Sequence, residues 1–289
     1  MIIEDNKLYQ VGGVVRDEIL GIESIDVDYC YEGNAIDFAQ KSGLKIIKTN
    51  PDFGTVRVVF GNKEIDIAST RCEEYPRKGH LPVVKNIGCP IKEDLIRRDF
   101  TINAIAKRTT DGEIVDIFNG RKDIETKTLR ILHKNSFIDD PTRIIRGLKF
   151  AARFGFKLDD TTRRLQEEYI ENVNCDMSYH RLKNELKDAF SLNRHEVFDK
   201  FVQEKMYKLL GENNYDYRAD SIKIEKLIKE NPSENSWLIY LSFFNLSKLD
   251  LTKKEKKILE EAKKDAGKNT PLESILIKEI RKTYAEKII

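Results

Sequence analysis

Three clusters of residues have the types and spacing to do chemistry. The first is Gly12-Gly13-Val14-Val15-Arg16-Asp17, followed by Asp26-Val27-Asp28. Adjacent glycines ahead of a helix let the backbone approach a phosphate closely, and the free N–H groups of the first helical turn can meet its oxygens. Arg16 adds a fork of donors for phosphate oxygens. Asp26 and Asp28, at i and i+2 on a strand, project from one face. That spacing suits two divalent ions shared for an in-line phosphoryl transfer. Either signal alone is weak, because Gly-Gly is common and D-x-D is frequent on solvated strand faces. Their order and spacing together point to a nucleotide site. Asp66, in Glu64-Ile65-Asp66-Ile67-Ala68, is the expected third carboxylate, with a solvated strand face as the alternative.

The second cluster is Asp94-Leu95-Ile96-Arg97-Arg98-Asp99-Phe100-Thr101-Ile102-Asn103. Arg97 and Arg98 can donate to phosphate oxygens, while Asp99 and Asn103 suit a ribose 2′-hydroxyl. A plain helix start with Asp99 as cap fits the same composition. The third runs from Asp139-Asp140-Pro141 to Phe154. On a helix, Arg143, Arg146 and Lys149 recur at i+3 and form a basic stripe, with Ile145, Leu148 and Ala152 on a buried one. A solvated basic face would also explain that stripe.

These residues need elements to hold them. Lys7–Val11 reads as a strand ending in Gly12-Gly13, then a helix from Val14 to Leu20. Ile25–Tyr31 alternates strictly and predicts a strand. A helix over 35–42 follows, then a hairpin of 55–60 and 63–69 around Gly61-Asn62. Residues 71–92, polar and with three prolines, predict a functional loop. A helix within 95–106 and a short strand at 113–118 come next. Pro141 opens a helix to Phe154 with Asp140 at its cap and Gly155 at its end. Periodic segments near 160–173, 178–190, 194–210, 221–230, 236–245 and 252–265 predict a string of helices.

Composition narrows the class. The chain has 289 residues, 35% charged and 40% hydrophobic, which suits about two globular domains. No run of about 20 apolar residues exists, so no membrane span is expected. The acidic start predicts no secretory signal. Residues 1–50 hold 5 Lys/Arg against 9 Asp/Glu, and residues 251–289 hold 11 against 7. An acidic beginning suits metal binding, and a lysine-rich end suits nucleic-acid phosphates or a solvated helix face. Cys30, Cys72, Cys89 and Cys175 are scattered with no C-x-x-C pair, so no structural zinc site is expected. Reduced thiols in a cytoplasmic protein are the simple reading.

The segments GGVVRD…DVD, RRDFTINAIA and DDPTRIIRGLKFAARF, in this order, resemble class II tRNA nucleotidyltransferases and the related bacterial poly(A) polymerases. The likeness covers roughly residues 8–190. It includes Asp116…Gly120…Asp123…Leu129-Arg130 and a weaker Ser178…Arg181…Glu185. The resemblance implies an α+β fold: a polymerase-β-like head with a mixed β-sheet over 1–135, then an all-α neck over 136–190. A helical body with a reduced, RNA-binding tail would fill 191–289.

By the same resemblance, Asp26 and Asp28 hold two Mg²⁺ ions, while Gly12, Gly13 and Arg16 contact the triphosphate. Arg97, Arg98, Asp99 and Asn103 match the ribose-recognising segment. Asp140 and Arg143, with Asp139 beside them, match the pair that reads the incoming base, and Arg146 and Lys149 continue the stripe. A carboxylate accepts from the amino group of cytosine or adenine, and arginine donates to their ring acceptors, so the pair selects C and A over G and U. No nucleic-acid template is needed. Asp139 stands where many CCA-adding members have Glu, and Lys149 where many have Arg.

The implied activity is addition of CCA to the 3′ end of tRNA from CTP and ATP, with release of pyrophosphate. A-adding, CC-adding and polyadenylating enzymes share these motifs, and a full-length segment at 71–92 favours an enzyme able to add A. An inactive RNA-binding protein is the alternative from another class, and retention of Asp26 with Asp28 argues against it. A small-molecule nucleotidyltransferase would not need the base-reading segment.

Overall fold

The computed structural model describes residues 3–24, 27–264, 267 and 270–288. They fall into two compact units, Met1–Ser136 with Lys157–Thr162, and Phe137–Phe156 with Arg163–Ile289.

In the first unit the chain runs β1 (Leu8–Val11), α1 (Gly13–Leu20), β2 (Asp28–Tyr31), α2 (Ala35–Lys41), β3 (Lys45–Asn50), β4 (Thr55–Phe60) and β5 (Lys63–Ser69). It continues through β6 (Arg71–Glu74), β7 (Val83–Ile87), α3 (Ile91–Ile96), β8 (Ala106–Arg108), β9 (Ile114–Val115), α4 (Gly120–Glu125) and β10 (Thr128–Leu129). Seven of these strands form one sheet in the order β3-β4-β5-β2-β1-β8-β9. The β2–β5 pair is parallel and the other pairs are antiparallel, so the sheet is mixed.

Strand alternation decides what each face of the sheet carries. Ile65 and Ile67 of β5 and Val56 and Val58 of β4 point to one side, where Ala35, Phe38 and Ala39 of α2 cover them. Each such side chain contributes about 1.5–3 kcal/mol on burial. Asn34 starts α2 with its Oδ1 accepting from the N–H groups of Ile36 and Asp37. On the other face Val11 and Cys30 pack with Ile91 and Leu95 of α3. Asp28 and Asp66 share that second face, two residues before Cys30 and Ala68, at the end α3 does not cover. The β4–β5 hairpin turns through Gly61-Asn62 with Phe60 opposite Lys63. Only Gly61 has a positive φ, 62°, the pattern in which glycine is needed at the first turn position alone.

The first unit departs from the sequence expectation in three places. Strand β3 was not foreseen. Residues 71–92 are not structureless: β6 and β7 pair as an antiparallel ribbon with a register shift after Cys72. The helix expected within 95–106 lies mostly ahead of that segment. Helix α3 ends at Ile96, a 3₁₀ turn covers Thr101–Asn103, and β8 begins at Ala106. The run Ala104-Ile105-Ala106 is fully buried, and a short apolar run buried on all sides cannot be told from a helix by its period.

The remaining elements are α5 (Ser136–Asp139), α6 (Thr142–Phe154), β11 (Lys157–Leu158), α7 (Asp160–Glu171), α8 (Tyr179–Phe190), α9 (His195–Gln203), β12 (Tyr217–Ala219), α10 (Ser221–Glu230), α11 (Ser236–Leu241), α12 (Lys253–Glu261), α13 (Leu272–Thr283) and β13 (Ala285–Lys287). Strand β11 returns to the first unit as a parallel partner of β10. Helix α6 ends before Gly155 as the sequence predicts, but starts one residue later, with Pro141 rather than Asp140 as its cap. The second unit packs on an aromatic cluster in which Phe190 and Phe201 meet edge to face, as do Phe201 and Phe244. Helix α13 was not foreseen. The small antiparallel pair β12–β13 is an addition to the helical expectation.

Candidate active site

A cleft of about 440 Å³ opens on the second face of the sheet, lined by Asp28, Asp66, Arg57, Cys30, Arg97 and Arg98 among others. That volume is ordinary for a small-molecule site. Parallel pairing puts Asp28 directly beside Asp66. Arg57, across from Asp66 on β4, grips both of its carboxylate oxygens at 2.8 and 2.7 Å. That pair is about half exposed, so it is worth only about 0–1 kcal/mol and can open readily. Asp26 lies outside the described residues.

The donors facing this end of the cleft are carboxylate oxygens, which suit a hard divalent cation such as Mg²⁺. Cys30 does not compete for it. Burial, aided by Asp94, pushes its thiol up to about 12, so it stays protonated at neutral pH.

Asp94 organises the arginines. It is fully buried on α3 and takes Arg97 Nη2 at 2.8 Å and Nε at 3.0 Å on Oδ1, and Arg98 Nη2 at 2.9 Å on Oδ2. The backbone N–H of Arg71 donates to Oδ1 as well, at 3.1 Å. Glu73 on β6 accepts from Arg97 Nη1 at 3.2 Å and from Arg71 Nε at 2.6 Å. Burial would raise the Asp94 carboxyl, but Arg98 and Arg97 outweigh it and hold it below the usual range. Arg98 Nε is buried without a hydrogen-bond partner.

A second buried chain joins the first two motifs. Arg16 donates through Nη1 to Asn103 Oδ1 at 2.6 Å, and Asn103 Nδ2 donates to Asp99 Oδ1 at 2.9 Å. Arg16 also closes on Asp17 Oδ1 through Nε and Nη2, at 2.9 and 2.7 Å. Asp99 accepts from the Phe100 N–H too, which orders the start of the 3₁₀ turn. Gly12 sits at φ 69° and ψ −121°, and a Cβ there would lie 2.9 Å from Arg98 Nη1. Gly12→Ala is therefore expected to destabilise the first unit by about 1–3 kcal/mol, read as a shift in its hydrogen-exchange protection. A wild-type protection pattern would contradict this.

In the second unit, α8 braces α6. Asp140 is buried, with Oδ1 accepting from Thr142 Oγ1 at 2.6 Å and Thr142 N at 3.2 Å. Its Oδ2 accepts from Arg181 Nη2 and lies 3.9 Å from Arg143 Nε. Glu185 holds Arg146 at 2.9 Å and Lys149 at 3.1 Å, and Asp188 takes a second bond from Lys149. Asp139, the last residue of α5, is buried. The basic stripe is thus an anchored row, not a solvated face. Thr252 and Glu255 cap α12 reciprocally, and Lys253, Lys254, Lys256 and Lys257 are exposed on it.

Residues 8–130 match the family model of the poly A polymerase head domain. An A-adding tRNA nucleotidyltransferase of Aquifex aeolicus (strain VF5) is 38% identical over 229 residues, 76% of this chain. A solved tRNA nucleotidyltransferase, complexed with a primer tRNA and an incoming ATP analog, is 30% identical, with a TM-score of 0.65 over 84% of this chain and 73% of its own. The chain belongs to the class II tRNA nucleotidyltransferase family.

A CCA-adding enzyme in its apo form II has the same architecture as this chain. Its TM-score is 0.80 at 27% identity, over 93% of this chain and 74% of that one. The seven-stranded unit is thereby a polymerase-β-like head. The chain spans only 27% of the length of the Aquifex relative.

Asp94, Glu73, Arg57, Arg181 and Glu185 were not among the expected site residues. For Asp94 a signal existed: it stands three and four positions before Arg97 and Arg98, the spacing of helical ion pairs. Arg181 and Glu185 lie in the weaker motif already noted. Arg57 and Glu73 act through strand register, which the sequence does not display.

Proposed function

We propose that this chain catalyses template-independent transfer of nucleotides from nucleoside triphosphates to the 3′ end of tRNA, with release of pyrophosphate. The observation that carries the reading is the cleft itself. It sets the Asp28 carboxylate beside arginines locked to a buried aspartate, in the head of a chain from this family.

Asp28, with Asp26 and with Asp66 beside it, would hold the two Mg²⁺ ions, which supply activation of the 3′-hydroxyl and charge neutralisation at the phosphates. Every other contribution comes from the chain. Arg97 and Arg98, both lining the cleft, offer their locked charges to the triphosphate. Gly12 and Gly13 keep the backbone bare where phosphate oxygens meet the start of α1. Asn103 and Asp99 fix the direction of Arg16, and Asp99 sits at the ribose-reading position. Fixing these donors beforehand removes the reorganisation they would otherwise undergo as charge develops.

Asp140 and Arg143, with Asp139 beside them, read the base. Arg181 tethers Asp140, and Glu185 holds Arg146 and Lys149 in line. Asp140→Asn exchanges an acceptor-only group for one that can also donate. It should raise GMP and UMP incorporation by roughly 10–100-fold relative to AMP and CMP, the equivalent of about 1–3 kcal/mol for one unpaired buried group. Single-turnover incorporation of each nucleotide checks this, and unchanged ratios would remove Asp140 from base reading. The four exposed lysines of α12 are the RNA-phosphate contact, so affinity for tRNA should fall with added salt.

Two readings of nucleotide specificity share the terminal A. Addition of A to CC-ended tRNA is favoured by the long curated match to an A-adding enzyme. Addition of the whole CCA, the sequence expectation, is favoured by the likeness in shape to a CCA-adding enzyme. Labelled ATP and CTP on transcripts ending at the discriminator base, at C and at CC separate them. A single A on the CC-ended transcript alone gives the first reading, and CCA on the shortest transcript gives the second. No product on any transcript leaves an RNA-binding protein.

A further inference from the structure

Cys72, Cys89 and Glu93 converge at the base of the β6–β7 ribbon, although nothing in their spacing announces it. One ligand atom from each lies within 4.8 Å of the other two: two sulfurs and a carboxylate oxygen. The Cys72 thiol donates to Glu93 Oε2 at 2.9 Å. The three come from different segments: Cys72 from β6, Cys89 from just after β7, and Glu93 from the first turn of α3. Both cysteines are half-buried and Glu93 is exposed, so an ion can reach them.

We propose that Cys72, Cys89 and Glu93 form a binding site for a thiophilic divalent cation of the zinc class, separate from the Asp28 cleft. Bonds of about 2.0–2.3 Å to a tetrahedral ion hold its ligand atoms about 4 Å apart or less, a small contraction of the trio as it stands. Two thiolates select such an ion over Mg²⁺, which prefers oxygen throughout.

A disulfide fits less well. The two thiols are in contact, but a disulfide would leave the Cys72–Glu93 hydrogen bond without a part. Without metal both thiols are held protonated. The hydrogen bond to Glu93, then burial, pushes Cys72 up to about 12, and burial raises Cys89. Each thiol loses its proton to solvent as its sulfur–metal bond forms.

The site adjoins the anchored arginines through the chain itself. Cys72 lies between Arg71 and Glu73, and Glu93 precedes Asp94. A bound ion would tie β6 to the start of α3 and fix the base of the ribbon.

Titration of the freshly reduced chain with Co²⁺, the spectroscopic stand-in for zinc, tests this. The expected result is a thiolate-to-cobalt charge-transfer band that saturates at one ion per chain, survives excess Mg²⁺ and is displaced by Zn²⁺. Cys72→Ser and Cys89→Ser should each abolish it and Cys175→Ser should not. Glu93→Gln should weaken binding by at least the about tenfold that even outer-shell losses cost. A thiol-reagent count on the unaltered chain guards against unfolded variants, because Zn²⁺ should lower the number of reacting thiols by two. No band at stoichiometric cobalt, together with a thiol count that Zn²⁺ leaves unchanged, overturns the proposal. So does a band that persists in the Cys72→Ser/Cys89→Ser double variant, or spontaneous pairing of these two cysteines as a disulfide that takes up no cobalt.

Discussion

Asp28→Ala should lower nucleotide incorporation by about 10³-fold or more while leaving tRNA binding and folding intact. Asp28 is exposed at the first position of β2, where substitutions rarely change stability by more than about 0.5 kcal/mol. Its loss removes a carboxylate oxygen that no described neighbour replaces in kind, since Asp66 is already gripped by Arg57. Single-turnover incorporation on a CC-ended transcript, beside a filter-binding measurement of the same transcript, separates chemistry from binding. Asp66→Ala refines the result. An equal loss would make Asp66 the third ligand, with Arg57 released in the working complex. A small loss would leave Asp66 as a partner that only steers Arg57. Near wild-type turnover in Asp28→Ala would remove the acidic pair from the chemistry.

The second large effect is on stability. Asp94→Ala leaves Arg97 and Arg98 as poorly solvated cations without their shared anion, and breaking a buried ion pair from one side costs about 3–5 kcal/mol. Their side chains are 18% and 16% exposed, so water recovers only part of that. Asp94→Asn keeps an acceptor and should cost less. The protein's one tryptophan, Trp237, is buried in the second unit and is a poor reporter of the head. Hydrogen exchange of β1, β2 and α3 amides is the suitable measurement. Acid tests the same group. A carboxylate whose pKa is lowered by folding contributes stability above its ordinary value near about 4, and that contribution is lost as pH falls through the lowered one. Protection of the head should therefore decline below about pH 4, and the decline should be smaller in Asp94→Asn. Asp94→Ala with wild-type protection would mean the arginines stand without it.

How much of this was visible in the sequence differs by element. The β4–β5 hairpin was legible to the residue, because one buried face imposes strict alternation and Gly61-Asn62 marks the turn. Helix α6 was legible from Pro141 and Gly155, and its basic stripe from i+3 spacing. The ribbon was not: its strands carry charged residues on exposed positions, and Pro76 and Pro82 stand outside the paired segments. Strand β8 hid behind Ala104-Ile105-Ala106, an apolar run that is buried all round.

The anchors were harder still. Asp94 looks like any acid in a first helical turn, and only the packing of α3 against the sheet makes it a buried hub. Cys72 and Cys89 look unrelated because the strand pairing that brings them together lies between them. In each case the missing information was long-range register, which local pattern does not encode.

Template-independent transfer requires that protein groups select the base. Its most direct test offers all four ribonucleoside triphosphates at equal concentration, with Mg²⁺, to a CC-ended tRNA transcript. One A should be added, with pyrophosphate released, and no G or U. Indiscriminate addition of all four bases, or no addition at all, would contradict it.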